Sequence, residues 1–152
     1  MKKIILVSSL FALAIFLAAA LTVEAAPRTI TADEADMIAG FDRPTYGWAR
    51  VNDNNEITGY RGVNYFLGYS EKRYLNPLKI DDLNFFWGFG TQALVLPYIG
   101  GGVDFTLGQR DDGSFFSIGG GIHLSATRVY SIARGNISPL TFLPSISLSY
   151  RF

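Results

Sequence analysis

From residue 45 onward, apolar side chains alternate one for one with small or polar ones in segment after segment. A period of two marks a β-strand, whose successive side chains project to opposite faces; a helix repeats every 3.6 residues. In "LNFFWGFGTQ" (83–92), Leu83, Phe85, Trp87 and Phe89 share one face, and Asn84, Phe86, Gly88, Gly90 and Gln92 the other. "YIGGGVDFTLG" (98–108) sets Ile99, Val103, Phe105 and Leu107 against Tyr98, Gly100, Gly102, Asp104 and Thr106. "FFSIGGGIHLS" (115–125) sets Phe116, Ile118, Ile122 and Leu124 against Ser117, Gly119, Gly121, His123 and Ser125. A last strand over about 142–152 sets Ile146, Leu148, Tyr150 and Phe152 against Ser145, Ser147, Ser149 and Arg151.

Two earlier segments follow the same rule. "TYGWARVN" (45–52) reads as a strand ending in the turn cluster "DNNE". "ITGYRGVNYFLGYS" (57–70) reads as one long strand, with Arg61, Val63, Tyr65, Leu67 and Tyr69 on one face and Gly62, Asn64, Phe66, Gly68 and Ser70 on the other. "EKRYLNPLKIDD" (71–82) holds most of the local charge and Pro77, and reads as a solvated loop. Alternation fails across residues 93–97, where Pro97 marks a strand start, an edge or a turn. "QRDDGS" (109–114) is a turn, with Asp112 and Gly113 the strongest hairpin signal in the chain. "TRVYSIAR" (127–134) is a weaker strand and "GNISPL" (135–140) a loop. Residues 26–43 form a polar lead-in. Thr31 and Glu34 there have the spacing of a capping box, consistent with a two-turn helix through Met37 or with a nascent turn.

The pattern therefore predicts an all-β domain over 44–152. Alternation alone fits a soluble sandwich as well as a membrane barrel, and the polar face separates them. A water-facing strand surface carries Lys, Glu, Thr and Arg. Here it carries Gly, Ser and Asn, and from Leu83 to Leu107 the one charged residue is Asp104. A narrow barrel accounts for both faces: lipid outside favours large apolar residues, and a cramped interior favours small and polar ones. Tyr69, Trp87 and Tyr150 suit interfacial girdles. In lipid every backbone group must find a partner within the protein, so the sheet has to close. The expected fold is an antiparallel, up-and-down membrane β-barrel of eight strands. The length is tight for eight spans of about 9–11 residues. Either the lead-in pairs, or the barrel is incomplete alone and closes as a homo-oligomer. The alternative is a soluble periplasmic β-barrel whose aromatics form a core around a small apolar ligand.

Residues 1–25 read as a secretory signal peptide, with Lys2 and Lys3 before an apolar run and short residues at Val23 and Ala25. Without them the chain is close to neutral, which gives no electrostatic case for nucleic acid. There is no Cys and a single His, so neither a disulfide framework nor a metal-ligand cluster is expected, and no cofactor is implied.

The series Ile146, Leu148, Tyr150, Phe152, ending on Phe, resembles the C-terminal β-signal of bacterial outer-membrane proteins. The resemblance implies an outer-membrane location, lipid as the surrounding partner, and recognition of these residues by the barrel-assembly machinery as the strand closes the barrel. It identifies a class and no subfamily. The role expected is structural, adhesive or surface-interacting, without catalysis.

One spacing suggests chemistry. His123 and Ser125 lie at i and i+2 on one strand face, which resembles the His-x-Ser pair of outer-membrane lipid A deacylases. Asp104, on the same face of a neighbouring strand, would have to orient the His. The bland reading makes Asn64, Asp104, His123 and Arg151 polar residues of the lumen, with an Asp104–Arg151 salt bridge. Arg61 falls on the apolar face, at odds with lipid there unless it sits at headgroup level or the strand is out of phase. The "GGG" runs at 100–102 and 119–121 lack the Lys and the helix of a phosphate loop, and read as strand glycines in a tight lumen.

Overall fold

A computed structural model describes residues 27–109, 114–126, 134–135 and 143–152. The predicted signal peptide, the Asp112–Gly113 turn, and nearly all of the expected strand at 127–134 and loop at 135–140 lie outside them. Ten strands are present: β1 (Arg28–Thr29), β2 (Met37–Phe41), β3 (Tyr46–Val51), β4 (Ile57–Asn64), β5 (Gly68–Tyr74), β6 (Lys79–Ile80), β7 (Asp82–Gln92), β8 (Leu96–Gln109), β9 (Phe115–Ser125) and β10 (Leu143–Arg151). Eight of them close into an antiparallel barrel in the order β10-β2-β3-β4-β5-β7-β8-β9. Each barrel strand lies beside its chain neighbour, and β10 returns to β2, so the topology is up-and-down. The barrel closes within one chain, and no second copy is required to complete the sheet.

The eighth strand comes from the lead-in. The helix predicted there, α1 (Ala32–Ala35), spans only four residues. The expected box is present: the Glu34 carboxylate accepts from the Thr31 N–H at 3.1 Å and from its hydroxyl at 3.2 Å. The chain then extends at Met37 instead of coiling through it, because Ile38 belongs inside the barrel and Met37 and Phe152 exchange backbone hydrogen bonds. The barrel domain thus begins at 37, seven residues before the expected boundary.

Two further expectations need correction. Residues 57–70 are not one strand. β4 and β5 form a hairpin about Tyr65–Leu67, held by Asn64, whose Oδ1 accepts from the N–H groups of Phe66 (2.9 Å) and Gly68 (3.2 Å). Residues 71–82 are not a solvated loop either. Glu71–Tyr74 continue β5, with Lys72 and Tyr74 buried inside and Glu71 and Arg73 on the outer wall. Leu78 and Ile80 are buried as well. The break at 93–97 is a tight turn: the Val95 N–H donates to Gln92 O, and Ala93 and Leu94 both have positive φ, the backbone of a type I′ hairpin.

The barrel has two unlike ends. One is sealed by a cap made of α1 and the short β1–β6 pair. Ile30 bonds through its backbone to both Leu78 and Ile57, and Tyr60 OH donates to Ala35 O at 3.0 Å. Ile30, Ala35, Ile38, Ile57, Leu78 and Phe115 form the apolar cluster under this cap. The other end carries the turns 42–45, 65–67 and 93–95. Around the barrel, Phe85, Val103, Ile118, Ile122, Ile146 and Leu148 point outward, as alternation required. Phe85 is 58% exposed and Ile146 62%.

Candidate functional site

The lumen is built from the residues the pleat turns inward. On β5 these are Ser70, Lys72 and Tyr74; on β8, Tyr98, Asp104 and Thr106; on β9, Ser117 and His123; on β10, Ser145, Ser147, Ser149 and Arg151. Ser125 and Phe115 take the ends of the inner face of β9, and glycines fill positions between the others, Gly100 and Gly102 on β8 and Gly119 and Gly121 on β9. At Gly119 a Cβ would overlap Asp104 Oδ1, so only glycine lets that carboxylate lie against the wall.

Asp104 is the hub. Its Oδ2 accepts from Lys72 Nζ (3.0 Å), Tyr74 OH (2.8 Å) and Arg151 Nη2 (3.2 Å), and its Oδ1 from Ser147 Oγ (3.3 Å). Lys72 also reaches both oxygens of Asp42, at 2.8 and 2.6 Å. Arg151, fully buried, donates through Nη2 to Tyr74 OH (2.7 Å) and through Nη1 to Thr106 (3.0 Å), which in turn accepts from Ser117 (2.8 Å). Two buried cations thus face two buried carboxylates, and the set is neutral. Ionised groups withdrawn from water are tolerated only when they are paired and hydrogen-bonded in this way. The same side chains occupy the bore, so this lumen is a packed polar core and not a wide channel.

The expected Asp104–Arg151 pair is therefore present, and Asn64, Asp104, His123 and Arg151 all lie in the lumen. Asn64 does more than line it, since it ties the 65–67 turn to Ser70 (2.7 Å) and to the Thr91 carbonyl (2.9 Å). His123 and Ser125 share the inner face. Asp104, however, lies opposite Gly119, four residues along β9 from His123, and is committed to Lys72, Tyr74 and Arg151. The group that meets His123 is Ser145 on β10, with Oγ 3.0 Å from Nδ1. The arrangement required of a His123–Ser125–Asp104 hydrolase is not assembled. Among the described residues no group of acidic and His side chains is placed to hold a metal.

Ile146, Leu148, Tyr150 and Phe152 stand on the outside of β10, with Tyr150 tilted against Phe116 at 5.3 Å. Tyr69, Trp87 and Arg61 also face outward. The phase of β4 was read correctly, and Arg61 does sit on the outer wall. It belongs to a charged group on that wall: Glu71 accepts from Arg73 Nε (2.5 Å) and Tyr69 OH (2.9 Å) and pairs with Arg50 (3.1 Å), while Arg73 lies 5.3 Å from the Trp87 ring.

Asp42, Lys72, Tyr74 and Ser145 were not singled out in the sequence. Ser70, Lys72 and Tyr74 continue an alternation that begins at Gly68, so the signal was present but masked by the charges around it. Asp42 stands in a turn, where no period points inward. No family model, curated protein or solved structure matches the chain.

Proposed function

We propose that this chain is an integral protein of the bacterial outer membrane, exported by its N-terminal signal peptide. Its role there is structural, adhesive or surface-interacting, and it catalyses no reaction. The observation that carries the proposal is the inversion of the barrel. Large apolar side chains such as Phe85, Ile122 and Ile146 stand exposed on the outer wall, while Lys72, Asp104 and Arg151 are buried inside. A soluble monomer rarely exposes a contiguous apolar surface beyond a few hundred Å². A soluble carrier of an apolar ligand needs an apolar lumen, and this one is ionic. Closure of the sheet also meets the demand of hydrocarbon that no strand edge be left unpaired.

On this reading Ile146, Leu148, Tyr150 and Phe152 face lipid and serve as the β-signal for the barrel-assembly machinery. The test is fractionation of cells expressing the full chain, with heat-modifiable mobility on a detergent gel, beside a variant lacking Phe152. Outer-membrane recovery with a mobility shift, both weakened by the truncation, is the expected result. A soluble periplasmic protein indifferent to the loss of Phe152 would overturn the proposal.

A further inference from the structure

The turns at the two ends of the barrel are made of opposite kinds of residue. At the cap end the turn between β3 and β4 is built from Asn52, Asp53, Asn54 and Asn55, and positive φ falls there on Asn55 and, before β7, on Asp81. Asn and Asp tolerate left-handed backbone and suit water. At the opposite end positive φ falls on Leu67, Ala93 and Leu94. A type I′ turn facing water takes a pair such as Asn-Gly; here Ala93 and Leu94 occupy it. The β4–β5 and β7–β8 turns are joined, since the Ala93 N–H donates to Phe66 O at 2.8 Å. Leu67 is 82% exposed, Leu94 and Val95 are 74% exposed, and Phe66 is exposed beside them. Every residue of both hairpins is described.

Two more observations bear on what surrounds these tips. The N–H groups of Tyr65, Phe66, Leu67, Gly68, Ala93 and Val95 all donate to acceptors of the chain, at 2.8 to 3.2 Å. Hydrocarbon offers no acceptor, so a turn placed there has to satisfy its donors internally. Charge is also zoned along the outer wall. On β4 and β5 it ends at the paired positions Arg61 and Glu71, and Val63, Tyr69 and the tip beyond them carry none. On the cap side of that level stand Arg50 and Arg73, with the Arg73 guanidinium 5.3 Å from the Trp87 ring. Arg, Trp and Tyr side chains together mark a headgroup level. From Glu71 to Leu67 the chain rises by about 13 Å, close to half of a hydrocarbon core of about 30 Å. Across Phe89 and Ile99 the tips continue into the apolar wall of β7 and β8.

We propose that the β4–β5 and β7–β8 turns form one apolar knob that ends inside the bilayer hydrocarbon, with Arg50, Arg61 and Arg73 at a headgroup level. The β3–β5 side of the barrel then enters the membrane without crossing it, and acyl chains surround the knob. This placement rests on the membrane reading above and adds to it a depth for one end of the barrel.

The chain has no Cys, so a single introduced one carries a nitroxide label at a chosen place. The test uses the purified mature chain folded into phosphatidylcholine vesicles. It measures collision of the label with oxygen, which concentrates in hydrocarbon, and with a neutral nickel chelate on both sides of the membrane, which hydrocarbon excludes. Labels on Leu67→Cys and Val95→Cys should meet oxygen freely. They should meet the chelate at least about tenfold less than a label on Asn54→Cys in the exposed cap-end turn. A label on Arg61→Cys should lie shallower than either tip. Ile122→Cys, on the apolar wall, reports the membrane reading separately. If Ile122 is shielded from the chelate while Leu67 and Val95 meet it as Asn54 does, the knob is not in lipid and this proposal fails alone. If Ile122 meets the chelate too, the membrane reading fails with it. Tips shut off from oxygen and chelate alike would lie against protein and would overturn the proposal. Equal depth at Arg61 and Leu67 would overturn the headgroup level. Heat-modifiable mobility verifies the barrel in each variant; should Leu67→Cys fail to fold, Val95→Cys decides alone.

Discussion

Glu71, Lys72 and Arg73 are three adjacent charged residues with two opposite fates. The pleat sends Lys72 into the lumen, where it is almost wholly buried between Asp42 and Asp104. It sends Glu71 and Arg73 to the outer wall, where with Arg50 they form a partly exposed group against Trp87. The inner set has as many carboxylates as cations and many supporting hydroxyls. The outer set has Arg50, Arg61 and Arg73 against one Glu71, and among the described residues Arg61 forms no ion pair. The wall formed by β7 to β10 shows no such group: between Leu83 and Leu107 its outward side chains are uncharged, and all but Thr91 are apolar or glycine. The inside of this barrel is thus electrostatically closed. The outside is divided into a largely apolar arc and an arc with surplus positive charge.

The contrast is broken most severely from within. Asp104→Ala leaves Lys72 and Arg151 buried without their shared carboxylate, and stability should fall by about 3–5 kcal/mol; urea unfolding in detergent or vesicles measures it. Phe85→Arg carries charge into the apolar arc. In a bilayer it should cost about 2–4 kcal/mol, whereas on a water-facing wall the change would stay within about 0.5 kcal/mol. Folding into vesicles therefore tests the lipid-facing reading directly. On the charged arc, Arg50→Gln removes one partly exposed partner of Glu71 and should cost under about 1 kcal/mol by the same unfolding assay.

The smallest effect belongs to the cap. Burial raises the Glu34 pKa, but hydrogen bonds from the Thr31 N–H and from Arg28, with the charge of Arg28, outweigh it and hold the carboxyl below its ordinary value. A carboxylate depressed in the folded state stabilises fully above its unfolded pKa, and that stabilisation is lost as pH falls through the folded one. The Ala32 amide, bonded to Asn55 O, should therefore exchange faster than intrinsic chemistry predicts on acidification. Glu34→Gln should remove that pH dependence; an unchanged profile would show that the box does not hold the cap.

Alternation was legible wherever the two faces differ in kind. In β7 to β10 every inward and outward assignment among Leu83, Asp104, His123 and Ile146 could be made from period two alone. It failed at β5, because a buried Lys carries the same local signal as a solvated one until its distant partners are known, and Asp42 and Asp104 lie 30 and 32 residues from Lys72. The 65–67 and 93–95 turns were hidden for a different reason. Their residues are Tyr, Phe, Leu, Ala and Val, none with turn chemistry, and in the first an Asn64 side chain enforces the reversal. The lead-in was expected to pair as one of two ways to complete the barrel, but its strand at Met37–Phe41 was not placed, because a real capping box precedes it and the helix ends after one turn. The salt bridge to Arg151 was readable from shared faces. The meeting of His123 with Ser145 was not, since it depends on a cross-strand register no local pattern encodes.

The Asp104 hub has a kinetic consequence. Asp104 stands on β8 and its partners come from β5 and β10, and the contact between Tyr74 and Arg151 spans 77 residues of chain. Such distant partners meet only after the intervening loop entropy has been overcome, which makes formation slow. Until β10 docks, Asp104 and Lys72 have no Arg151 beside them, and the half-made lumen is an open trough of charge with little reason to leave water. Arrival of β10 supplies the missing cation and the last ladder in one event. On the membrane reading proposed above, transfer into an apolar phase becomes favourable only for a chain that has already joined its first strand to its last.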